Sequence, residues 1–197
     1  MKITLVHGSP KKENKSSATR LIIDYLAEQL AGHEVHRANA NSRLSFPMDV
    51  IVFVFPLYVD GIPSHLLKAL QSWQDLFIAY HIKTKVYVVV NNGFYEPGQN
   101  YPAIAMMKQW CKHAGLLWGK AVAVGGGGSI TAAAIGKGPN KNLADALDQL
   151  ALEITEGGVM LEDDYVKSNL SRGLYRLSAH LVFRLRGRHY HAKLKQQ

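Results

Sequence analysis

The chain has 197 residues, a little under half of them hydrophobic and about a fifth charged, with one cysteine and a formal net charge of +8. That mix suits one buried α/β domain and excludes a chain disordered throughout, while the lone Cys111 excludes an internal disulfide and an iron–sulfur cluster held by several cysteines of this chain. Beyond Asp164 come Lys167, Arg172, Arg176, Arg184, Arg186, Arg188, Lys193 and Lys195 and no acid, so the other 15 cations and the 15 acids cancel and the whole excess belongs to the tail, not to the body.

Taken in order, Ile3-Thr4-Leu5-Val6-His7 is an apolar run too short for a helix, ended by Gly8-Ser9-Pro10. A polar turn follows, and from Leu21 the spacing of Leu21, Ile22, Tyr25, Leu26 and Leu30 is helical. This strand, loop and helix put unpaired amides, the positive end of a helix dipole and several hydroxyls at one point, which suits a phosphate. Ser9, Ser16, Ser17 and Thr19 supply hydroxyls, Ala18 an amide, and Lys11 or Lys12 a cation. Ser16, Ser17 and Thr19 would serve equally as ordinary helix caps. Neither the dinucleotide G-x-G-x-x-G spacing nor G-x-x-x-x-G-K-[ST] occurs, which counts against both of those phosphate loops.

The segment His33 to Arg37 reads as a short polar strand at a sheet edge. Val50 to Phe55 is apolar without alternation and therefore belongs to a strand covered on both faces. Pro56-Leu57-Tyr58-Val59-Asp60-Gly61-Ile62-Pro63 is the loop that follows, before a helix striped by Leu66, Leu67, Leu70, Trp73, Leu76 and Phe77. Val86 to Val90 is the next buried strand, with the loop 91–98 after it and a helix face of Ile104, Met107, Cys111 and Ala114. Ala121 to Val124 then runs into Gly125-Gly126-Gly127-Gly128-Ser129, and Leu143, Leu147, Leu150 and Ile154 stripe a further helix. Five alternations without a linker predict one parallel sheet with helices on both faces and right-handed crossovers.

In such a sheet the loops at the carboxyl ends of the strands share one edge, where ligands bind. The aromatic and apolar groups of Pro56-Leu57-Tyr58 and Gly93-Phe94-Tyr95 make a bed for a flat heteroaromatic ring, and a phosphate at the first loop with a planar ring between the other two describes flavin mononucleotide (FMN).

With these residues in view, the chain resembles the flavodoxin-like superfamily, in particular its branch of NAD(P)H-dependent FMN reductases and quinone-reductase-like flavoproteins. Gly8-Ser9-Pro10-Lys11…Ser17-Ala18-Thr19 is similar to that branch's Gly-Ser-Pro-Arg…Ser-Asn-Thr phosphate loop, and Pro56-Leu57-Tyr58…Pro63-Ser64…Leu67-Lys68 to its second signature. Two positions depart from the pattern: Lys11 stands for an arginine, losing a bidentate grip, and Ala18 for an asparagine. The resemblance, which spans residues 1 to about 156, implies a three-layer flavodoxin-like α/β fold with a five-stranded parallel sheet in the order 2-1-3-4-5; the domain is expected over residues 1–165, followed by a basic helix and tail over 166–197. It implies that Ser9, Lys11, Ser16, Ser17, Ala18 and Thr19 hold the FMN phosphate. Pro56, Leu57, Tyr58, Val59 and Asp60 would line one side of the isoalloxazine, and Asn92, Gly93, Phe94 and Tyr95 would bond its pyrimidine edge. The activity implied is hydride transfer from NAD(P)H through FMN to a quinone, flavin or similar small acceptor, with no protein side chain as acid or base. The alternative is a non-enzymatic flavodoxin-type electron carrier or flavin-binding interaction protein.

The glycine run after the fifth strand lets something approach closely, either nicotinamide or a neighbouring subunit, and a homo-oligomer is expected. Gly127-Gly128-Ser129 lacks the last glycine of a nucleophile elbow, and His189-Tyr190-His191 lacks a third metal ligand. Leu170, Leu174, Leu177, Leu181 and Leu185 recur every three or four residues among arginines, predicting a cationic amphipathic helix over 169–186. Such a helix packs on the domain, joins two copies, or lies on an anionic membrane; no nucleic-acid reading motif accompanies it. With no apolar run of about 18 residues and a strand at the very start, a cytoplasmic location is expected.

Overall fold

The computed structural model describes residues 1–11, 16–157 and 162–194; Lys12 and Lys195 lie outside these, and of residues 186 and 188–194 only the backbone is described. The elements run β1 (Lys2–His7), α1 (Ala18–Gln29), β2 (Glu34–Asn39), β3 (Val50–Pro56), α2 (Ser64–Ala79), β4 (Lys85–Asn91), α3 (Tyr101–His113), β5 (Leu117–Val124), a single turn α4 (Gly127–Ile130), α5 (Lys141–Glu156), β6 (Asp164–Val166) and α6 (Arg172–Leu194). Every strand pairs in parallel, in the order β2-β1-β3-β4-β5-β6.

The apolar runs of β3 and β4 follow from burial on both faces. Ile51, Phe53 and Phe55 with Val86, Val88 and Val90 pack against Leu66, Leu70, Trp73 and Phe77 of α2 and Ile104, Met107 and Cys111 of α3. Their alternate neighbours, Val50, Val52, Val54 and Val89, pack against Ile22, Ile23 and Leu26 of α1 and Leu143, Leu147, Leu150 and Ile154 of α5. Neither face of these strands meets water, so alternation has nothing to encode. The edge strand β2 is mostly exposed, which accounts for its polar sequence.

The expected five strands become six. Asp164-Tyr165-Val166 pairs with Val122-Ala123-Val124 along the edge of β5, a strand of three residues that is too short to announce itself by periodicity. It closes the edge with a buried charge cluster. Lys120 Nζ, its side chain only 4% exposed, lies 2.9 Å from Glu153 Oε1 of α5 and 2.8 Å from Asp164 Oδ2 of β6. Burial works to lower the lysine pKa, but the hydrogen bonds and charges of Asp164 and Glu153 overcome it and raise the value above that of a free lysine. The tail helix also differs from expectation: it begins at Arg172, with the Ser171 Oγ accepting from the Leu174 amide at 3.4 Å, so Leu170 stands outside it.

Lys120→Met leaves two carboxylates facing one another without their cation, and is expected to cost about 3 kcal/mol in denaturant unfolding, with Lys120→Met/Glu153→Gln recovering part of the loss. Because the folded pKa is raised, the lysine's contribution is complete below about pH 10 and is lost as pH rises through the folded value. Cys111, 1% exposed, has its thiol pushed up to about 12 by burial, so a thiol reagent is expected to label it only after unfolding.

Candidate functional site

The carboxyl ends of the strands are laced together. The Gly8 amide donates to Val54 O at 2.8 Å, Leu57 N to Asn91 O at 2.8 Å, Asn92 N to Val124 O at 3.0 Å, and Gly125 N to Val166 O at 2.9 Å. Each loop therefore leaves the sheet tied to its neighbour, and the loops opening at Gly8, Leu57 and Asn92 stand side by side, as the sequence implies.

At the first loop, Ser9, Ser17 and Thr19 are buried, while Lys11 and Ser16 are exposed and Ala18 is half-buried. Ser17 is the cap of α1: its backbone is extended and its Oγ accepts from the Arg20 amide at 3.1 Å. One lone pair is spent in this way. Ala18 and Thr19 come next, and their amides have no carbonyl four residues back within the helix, so they point out of the positive end of a 12-residue dipole. The Ser9 Oγ accepts from the Lys11 amide at 3.3 Å and folds the loop over the end of β1.

The second loop is a tight hairpin. Tyr58 and Gly61 exchange both backbone hydrogen bonds at 3.0 Å, and the two residues between them, Val59 and Asp60, have φ of 47° and 55°. A two-residue turn with both φ positive favours Asn-Gly, and a β-branched valine there is strained. Its side chain is fully exposed, so no packing of the domain holds it in place. Pro56 ends β3 opposite Asn91, Leu57 packs against the α2/α3 core, and Tyr58 is 45% exposed.

At the third loop, the buried Asn92 uses its side chain inwardly: Oδ1 accepts from the Phe94 amide at 2.9 Å and Nδ2 donates to Glu96 O at 3.1 Å. This presents Gly93 and Phe94 outward, Phe94 being 57% exposed. Tyr95 is turned elsewhere. Its hydroxyl donates to Leu170 O at 2.9 Å and its ring lies 5.5 Å from that of Tyr175 in α6. The Tyr175 hydroxyl, kept protonated by a pKa that burial raises, donates to Gly93 O at 3.0 Å. Glu96 lies 3.5 Å from Lys167 and 3.9 Å from Arg172, completing the dock of the tail on this loop.

Within the chain, this same third loop is what approaches the glycine run. A Cβ on Gly125 would stand 2.3 Å from Tyr95 O, and one on Gly127 would stand 2.7 Å from Asn92 O and from Asn91 Nδ2. The Ser129 Oγ lies 2.8 Å from Gly126 O and 3.0 Å from Asn140 Oδ1, structural partners rather than a base that would activate a nucleophile.

Pattern reading missed a polar cleft of about 400 Å³ on the β2 side of Ser9, lined also by His7, Lys11, Asn39, Asn41 and His65. These residues lie far apart in sequence and converge because His7 and Asn39 are register partners at the ends of β1 and β2. Only a histidine immediately before Gly8-Ser9 could have hinted at it.

The fold so assembled is flavodoxin-like. No family model and no curated protein matches the sequence. Among solved structures, the chain is similar to rubredoxin oxygen:oxidoreductase from Desulfovibrio gigas (14% identity, TM-score 0.59, covering 79% of this chain and 35% of that one). It is also similar to a short-chain flavodoxin associated with a bacterial microcompartment (12%, 0.55, 81% and 99%) and to NAD(P)H:quinone oxidoreductase from Methanothermobacter marburgensis (15%, 0.50, 80% and 96%).

Val59→Asn, which places a residue tolerant of positive φ at the hairpin tip, is expected to stabilise the protein by about 1 kcal/mol in equilibrium unfolding. A loss of stability would show that the turn is not strained as its dihedrals indicate.

Proposed function

We propose that the chain is an FMN-dependent oxidoreductase that passes hydride from NAD(P)H to a quinone, flavin or similar small acceptor. The observation that carries this reading is the conjunction at one sheet edge of an anion site and an aromatic bed. Buried Ser9, Ser17 and Thr19 surround the amino end of α1, while exposed Tyr58 and Phe94 stand on the next two strand ends.

The donor set fits the cofactor. The amides of Ala18 and Thr19 and the hydroxyls of Ser9 and Thr19 bind a phosphate without a metal ion, and Lys11 adds a mobile cation. Ser17 acts by positioning, because it caps the helix whose dipole does the binding. Leu57 and Tyr58 cover one side of a planar ring, and on the third loop the Gly93 and Tyr95 amides remain for its polar edge, the Gly93 carbonyl and both backbone groups of Phe94 being bonded within the chain. Asn92 and Tyr95 contribute by holding that backbone rather than by touching the ring with their side chains. Bound flavin would supply the hydride acceptor and donor. The protein's tasks are to orient donor and acceptor in turn and to leave one ring face open to both, tasks that need no ionisable catalytic side chain. The names of similar structures, a quinone oxidoreductase, a flavone reductase and a flavodoxin, support a flavin-dependent redox reading.

Equilibrium dialysis is expected to show retained FMN with bound-flavin absorbance. Ala18→Glu places an acid in the first helical turn, where it favours the helix but opposes the phosphate. It should leave thermal stability unchanged or higher and weaken FMN at least about tenfold. Anaerobic mixing with NADPH or NADH is expected to bleach the bound flavin; a protein that retained FMN yet stayed oxidised would be an electron carrier instead.

A further inference from the structure

The tail helix offers a surface that the redox reading leaves unexplained. Across its 23 residues, α6 presents Leu174, Leu177, Leu181 and Leu185 to solvent, each more than half exposed, with Val182 also exposed. At 100° per residue the four leucines fall in a sector about 80° wide. Arg172 and Arg176 fall on the far side together with Phe183, and Arg184 flanks the stripe. Among the described residues Arg176 and Arg184 have no carboxylate partner, and the only ion pair of α6 is Arg172 with Glu96. Tyr175 fastens the first turn to Gly93 and Tyr95, and the helix beyond it carries its apolar stripe away from both cores.

We propose that α6 is a membrane-docking element that lies in the interface of an anionic lipid bilayer, a role beyond the redox reading and independent of it. Charge chooses the occupant. Eight cations with no acid after Asp164 complement lipid phosphates, whereas a second copy would set two acid-free cationic tails side by side. Long arginine side chains reach up to the headgroups while the leucines enter the acyl boundary. No helix among the described residues is long and apolar enough to cross a membrane, so contact with the bilayer is peripheral. The dock at Tyr175 fastens the first turn of the helix to the third loop, on which Phe94 is also exposed.

The test is flotation of the full-length protein with vesicles of phosphatidylcholine alone and with about one-third phosphatidylglycerol. Wild-type protein is expected to float with the anionic vesicles at least about tenfold more than with the neutral ones, and to be released as salt shortens the screening length. Leu177→Glu/Leu181→Glu and, separately, Arg176→Glu/Arg184→Glu are expected to abolish flotation. Both pairs alter exposed residues, and an unchanged circular dichroism spectrum and unfolding temperature check that they still fold. FMN retention measured on the same samples keeps the two readings apart, because flotation is expected with or without the flavin. Equal flotation with neutral vesicles, or none with anionic ones, overturns the proposal. So does a dimer seen by sedimentation that the leucine pair dissociates while wild-type protein ignores vesicles, which assigns the stripe to a second copy.

Discussion

The row of hydrogen bonds that leads from Gly8 to Val54, Leu57 to Asn91, Asn92 to Val124 and Gly125 to Val166 is the constraint on which the site depends. Each bond continues the parallel ladder one residue past the strand and thereby fixes where the next loop begins. Loops are the least constrained part of most folds, yet these are anchored at their roots by backbone groups that every substitution except proline keeps. Close packing fixes two of the root residues, since a Cβ on Gly8 would stand 2.8 Å from the Phe55 Cβ and one on Gly125 2.3 Å from Tyr95 O. Glycine at 125 and 127 extends the same logic, since the third loop rests directly on the backbone after β5.

Much of this was legible in the sequence because two-sided burial writes itself as uninterrupted apolar runs. Val50 to Phe55 and Val86 to Val90 could only be central strands, and the helix stripes named their own buried faces except at Leu76, which the structure leaves exposed at the margin of the α2 stripe. The start of β5 was obscured by Gly119 and Lys120, the first fitting against the Tyr87 ring and the second serving a buried charge cluster instead of an apolar face. Strand β6 was hidden by its brevity, since pairing with β5 and the burial of one residue, Val166, hold it.

At the candidate site, local chemistry was legible and long-range partnership was not. The hydroxyls and the helix start of the first loop are contiguous in sequence, so their proximity could be inferred. The fixing of Tyr95 by Leu170 and of Gly93 by Tyr175 joins residues 75 and 82 positions apart, and nothing in the pattern of either segment names the other. The strain at Val59 was equally silent, because valine is a strand former and the hairpin overrides that preference. The cleft around His7, Asn39 and His65 emerges only when two strands end level with one another.

The shared carbonyl of Gly93 ties the third loop to the tail, and thermodynamic linkage then runs in both directions. Whatever restrains the first turn of α6 also restrains the backbone of the third loop, so a change in that backbone's order made by binding on one side is felt on the other by an equal factor. Tyr175, together with Tyr95 and Glu96, forms the joint across which the strand ends and the tail exchange free energy.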